Sequence, residues 1–193
     1  MSRETHVTFL GIRIARFLFL FISIILMMVL RPIMEDFIRL SILTDILFAA
    51  ILISGLWAVS RRREVFVMAL LAAIPALVLE WVAYFVEFPA LGSLSRFFLA
   101  IFFGVTSVAL LSHILKAKEV TADLIVGAAS TYFLIGFLWA FVFFFLETFS
   151  PGSFHLERGQ ADMDSQLIYY SFVKRTNVGY GDITAATITG RSL

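Results

Sequence analysis

Five apolar stretches, each close to the length of a bilayer-spanning helix, leave this chain few ways to fold. A spanning helix needs about 20 mostly apolar residues. The stretches cover residues 9–30, 42–59, 65–85, 97–115 and 124–146. They are broken by Arg31-Pro32, Arg61-Arg62-Arg63, Pro89 with Gly92, and Lys116 with Lys118. The chain is 61% hydrophobic, where soluble domains run at about half. The sequence therefore predicts an all-α membrane protein with five transmembrane helices. The polar residues 1–8 precede a first stretch with no small-residue cleavage site, so that stretch is expected to be a retained span and not a signal peptide. The absence of Cys excludes disulfides, thiolate metal sites and thiol nucleophiles. A net charge of +1 gives no reason to expect a nucleic-acid partner.

Charge sets an orientation. With the N-terminus in the cytoplasm, the inner segments hold Arg3, Arg13, Arg16, Arg61, Arg62, Arg63, Lys116 and Lys118. The outer segments hold Arg31, Arg39, Arg96 and Arg158. Eight cations against four fit the positive-inside rule. The polar stretch 149–165 then lies outside. A voltage sensor needs arginines repeated along one span. The 97–115 stretch has no Lys or Arg, so strong voltage sensing is not expected. Asp45 and Glu80 are costly in lipid and are expected in a structural ion-pair layer with Arg39 and Arg96 near the same face.

Near the C-terminus the pattern changes. Residues 164–175 have the periodicity of a helix too short to span, and Thr176-Asn177-Val178-Gly179-Tyr180-Gly181-Asp182 follows at once. Two glycines one residue apart suit an extended loop of alternating backbone hand, because glycine reaches positive φ at no steric cost. Irregular backbone at membrane depth is tolerated only where protein or a water-filled cavity surrounds it. The half-helix and loop are therefore expected to form a re-entrant element. Gly-Tyr-Gly-Asp is also good surface-turn chemistry, and the preceding apolar spans and short helix decide against that reading.

Val178-Gly179-Tyr180-Gly181-Asp182 resembles the selectivity filter of potassium channels, and the order of spans resembles the prokaryotic six-span potassium channel family. The resemblance covers residues 124–182. It implies a cyclic homotetramer in the plasma or inner membrane, with residues 1–120 as a four-span N-terminal domain and residues 121–193 as a pore module. Backbone carbonyls of Asn177, Val178, Gly179, Tyr180 and Gly181 would replace the hydration shell of a potassium ion, with no other metal and no cofactor. Thr176, Asp182, Tyr169 and Tyr170 would support the loop, the two tyrosines as an aromatic pair bracing it.

Three features depart from the family pattern. Asn177 replaces a threonine and brings an NH2 donor that repels a cation if it faces inward. Lys174 and Arg175 stand where small or apolar residues are usual, and are expected to oppose cation entry. The family's inner helix does not follow within the residues after Gly181, so the chain is expected to be an early-ended piece. These departures favour an alternative, a non-conducting channel-like subunit or scaffold that keeps the loop. His6, His113 and His155 lack metal-ligand spacing, and no phosphate loop or nucleophile elbow is present, so no enzyme activity is expected.

Overall fold

The computed structural model describes residues 17–30, 41–60, 62–86, 89–156 and 163–192. Helices dominate. The first is α1 (Phe17–Leu30). It is followed by α2 (Ser41–Val59), α3 (Arg63–Phe85), α4 (Pro89–Leu115), α5 (Ala122–Phe149), β1 (Phe154–His155), α6 (Met163–Arg175), β2 (Thr184–Ala185) and α7 (Ile188–Ser192). Among the described residues, α3, α4 and α5 are long and apolar enough to cross a membrane, while α1 and the apolar part of α2 are shorter. Residues 9–16 of the expected first span, Arg39 and the side chain of Asp45 lie outside the described residues.

On α3 small residues face inward and large apolar ones outward. On α3, Ala69, Ala72, Ala73 and Ala76 are buried at helical spacing, while Met68, Leu71, Ile74, Val78 and Trp81 are exposed. Water would reverse that arrangement. In lipid, which is as apolar as a leucine, helices gain little by hiding large side chains and gain most by close approach of small ones. The alanine stripe lets α4 come close, and Ser95 Oγ donates across the seam to the Ala76 carbonyl at 3.0 Å. Below it, Gly55 of α2 leaves room for Phe102, whose Cζ lies 2.7 Å from where a Cβ would sit. Phe103 stacks on Phe137 and Phe141 of α5, with ring centroids 5.7 and 5.8 Å apart.

Two boundaries differ from expectation. The helix predicted from residue 97 begins at Pro89. Proline suits a first helical turn, where its missing N–H has no partner to lose, so the expected turn is the helix start. α5 extends from Ala122 to Phe149 and is capped by Thr121, whose side chain accepts from Leu124 N–H at 3.3 Å. The short 116–121 connection makes α4 and α5 antiparallel neighbours within one chain.

Arg96 pairs with Asp164 at the start of α6, a partner outside the expected ion-pair layer, while Arg39 and the side chain of Asp45 lie outside the described residues. Glu80 Oε2 is buried without a hydrogen bond, in a small cavity lined by Phe48, Leu52, Leu77, Trp81 and Ser95. The physical reason is position: the N-terminal ends of α4 and α6 come together, which brings Arg96 to Asp164 across 68 residues of sequence.

Candidate functional site

The 13 residues of α6 make a helix about 20 Å long, too short to cross about 30 Å of hydrocarbon. It lies along α5 through a tight seam. The ring of Phe172 sits over Gly136, where an added Cβ would fall 2.4 Å from ring atoms. Beside it, buried Ser171 donates to the Gly136 carbonyl at 2.7 Å. Phe172 also meets Phe133 and Phe137. Asp164 in the first turn and Lys174 and Arg175 in the last complement the helix dipole.

The end of α6 is fixed by its own sequence. Thr176 Oγ1 donates to the carbonyls of Phe172 and Val173 at 3.0 and 3.1 Å. Asn177 then turns to φ +55°, a left-handed closure that asparagine tolerates better than most residues. Among the described residues, Asn177 is the one non-glycine at positive φ. Gly179 follows at φ +58° and Gly181 at +81°. Left-handed positions thus recur at 177, 179 and 181, with Val178 and Tyr180 between them. A Cβ added at Gly179 or Gly181 would meet nothing within 4 Å, so glycine is needed there for its dihedral and not for space.

The far end of the loop is also held. Tyr169 Oη donates to Asp182 Oδ2 at 2.6 Å, and Asp182 Oδ1 accepts from the Ile183 N–H at 2.9 Å. Both bonds favour the carboxylate and lower its pKa, the tyrosine more. Ile183 is buried with Phe143, Phe144, Phe154, Leu167 and Tyr170. β2 then pairs antiparallel with β1, Ala185 opposite Phe154 and Thr184 opposite His155. The Ser153 carbonyl accepts from Ala186 N–H at 2.8 Å. Glu147, at the end of α5, shapes the preceding turn: its carboxyl oxygens accept from the N–H groups of Gly152 and Phe154 at 2.8 and 3.0 Å.

The expected supporting residues separate. Thr176 closes α6, and Tyr169 reaches Asp182. Tyr170 turns the other way, into the rings of Phe143 and Phe154 at 5.2 Å each. Arg175 folds back over Tyr132 of α5, 4.4 Å from the ring centroid, and Lys174 lies 5.9 Å from the ring of Tyr170. Val178 and Tyr180 are 53% and 72% exposed. Three contributors escaped the sequence reading: Glu147, the Gly136 seam and the Arg96–Asp164 pair. Only Glu147 left a signal, as a lone acid just before the Pro151-Gly152 turn.

Among the described residues, no three His, Asp or Glu side chains gather as a metal site. The loop is anchored at both ends, by Thr176 to the last turn of α6 and by Asp182 to Tyr169. Comparison with protein-family models, with curated proteins and with solved structures finds no match.

Proposed function

We propose that this chain is a potassium-channel-like membrane subunit whose 176–182 loop contributes one quarter of a potassium-selective ion path. The observation that carries the reading is the recurrence of left-handed backbone at Asn177, Gly179 and Gly181. Successive carbonyls can share one side only if the backbone alternates in hand, and a dehydrated potassium ion is held by such carbonyls. In this reading the ligands are the carbonyls of Asn177, Val178, Gly179, Tyr180 and Gly181.

One loop cannot encircle an ion, so four copies assemble around a common axis. The exposure of Val178 and Tyr180 supports this, since more than half of each residue is left open by the chain itself. The protein lies in the cell membrane with its N-terminus cytoplasmic, consistent with eight inner cations against four outer. Transport is passive and uses no cofactor. Asn177 matters here through its backbone: a residue that accepts positive φ extends the alternation one position below Gly179. The contact of Arg175 with Tyr132 draws its charge towards α5.

The test is cation flux into proteoliposomes under opposed potassium and sodium gradients. Potassium should pass well ahead of sodium, and Gly179→Ala should abolish the flux. Equal passage of both ions, or flux unchanged in Gly179→Ala, would refute the proposal.

A further inference from the structure

The cation nearest the start of α4 is built into α6. Arg96 Nε donates to Asp164 Oδ1 and Oδ2 at 3.1 and 2.9 Å, and Nη2 donates to Oδ2 at 2.5 Å. The planar guanidinium thus grips the carboxylate as a fork, the geometry that lysine cannot supply. The ring of Phe144, from α5, lies under the guanidinium at 4.5 Å. One turn earlier, Gly92 leaves space for it: a Cβ there would come 2.7 Å from Arg96 Nη1. Carboxylate, aromatic shelf and cleared backbone come from three helices, and together they fix one cation. Both side chains are mostly covered, 25% and 20% exposed.

Asp164 lies in the first turn of α6, and the last turn of α6 runs into Thr176 and the loop. We infer that Arg96 is a positioning residue for the 176–182 loop, through which α4 and the N-terminal helices set how tightly the loop holds its ion. The inference rests on the potassium reading and adds a regulatory input to it. The input arrives within one chain, because α4 and α5 are neighbours across the short 116–121 connection. Arg96 is here a tie between α4 and α6. A movement of α4 along its axis must either carry α6 with it or break the fork.

Two variants separate the tie from general stability. Arg96→Gln removes the charge. Gly92→Ala leaves every charge in place and improves helix propensity in α4, yet sets a methyl group 2.7 Å from Arg96 Nη1, so the guanidinium must shift from its present seat on Asp164. Amide hydrogen exchange is followed in α6, in the loop and in α3 as internal reference, across a potassium titration at constant ionic strength. Both variants should speed exchange in α6 and the loop but not in α3. Both should raise the potassium concentration for half-protection about tenfold, the scale of one lost charge-assisted hydrogen bond. The exchanged pair Arg96→Asp with Asp164→Arg should recover part of that loss.

Unchanged α6 exchange in both folded variants would overturn the tie. Faster α6 exchange with an unmoved potassium midpoint would overturn its link to the loop. If the unaltered protein is protected equally by sodium and potassium, the potassium reading itself fails and takes the inference with it. The first two outcomes leave that reading standing, so the failures are distinguishable.

Discussion

Gly136→Ala tests the seam that seats α6. A methyl group there lies 2.4 Å from Phe172 Cε1 and Cζ, where ordinary contact begins near 3.4 Å, so the ring must retreat by about 1 Å. Its retreat is opposed by the rings of Phe133 and Phe137, 5.8 and 5.7 Å away. The alternative is for α6 to move off α5, which stretches the Ser171–Gly136 hydrogen bond. Overpacking costs about 1–3 kcal/mol. A buried hydrogen bond adds about 0.5–1.5 kcal/mol. Replacing glycine in a helix returns about 1 kcal/mol. The net loss is roughly 1–3 kcal/mol, and each kcal/mol lowers the melting midpoint of a chain this size by about 2–4 °C. Gly127→Ala is the control. It lies in the same helix, but its Cβ would meet Phe17 at an ordinary 3.7 Å, so it should raise the midpoint. Thermal unfolding in detergent, read by tryptophan fluorescence, makes the comparison, and Phe172→Leu should relieve Gly136→Ala. A Gly136→Ala protein as stable as Gly127→Ala would show that the Gly136–Phe172 seam is not close-packed.

Gly181→Ala and Gly152→Ala replace glycines at φ +81° and +84° with open space around both. Each should cost about 1–2 kcal/mol of stability, but only Gly181→Ala should weaken potassium-dependent protection. Asp182 has a lowered pKa, first from the Tyr169 hydroxyl and then from the Ile183 N–H. Its contribution to holding the loop is therefore full above the ordinary carboxylate value and is lost as pH falls through the lower folded value. Tyr169→Phe should flatten that acid dependence, measured as loop proteolysis between neutral and acidic pH. Glu147→Ala strips acceptors from the N–H groups of Gly152 and Phe154 and should cost about 1.5–3 kcal/mol, with faster exchange at β1 and β2. Glu80→Leu removes an unpartnered buried carboxyl oxygen and should raise the melting midpoint; a lower midpoint would assign Glu80 a structural partner.

Some of this architecture was legible in the sequence because hydropathy alone marks a span. α3, α4 and α5 announce themselves by length and apolar content. Which face of each turns inward was not legible, because lipid-facing and protein-facing residues are both apolar. On α3 the choice fell to the alanine stripe at 69, 72, 73 and 76, a matter of size and not of hydrophobicity. The glycine spacing at 179 and 181 points to backbone of alternating hand, and both glycines have positive φ. In the sequence Asn177 stands out as a side chain replacing a threonine, whereas its notable feature in the structure is a backbone dihedral. Sequence position alone groups Arg96 with Glu80, since both fall near the outer end of their predicted spans. Its partner Asp164 depends on how α4 and α6 meet, which no local pattern encodes.

The proposed function stands or falls on whether the carbonyls of the 176–182 loop bind dehydrated potassium. Amide hydrogen exchange of this loop, compared in potassium and in sodium at equal ionic strength, tests it most directly. Exchange from Asn177 to Asp182 should be markedly slower in potassium, with α3 unchanged between the two salts. Identical exchange in both would contradict it.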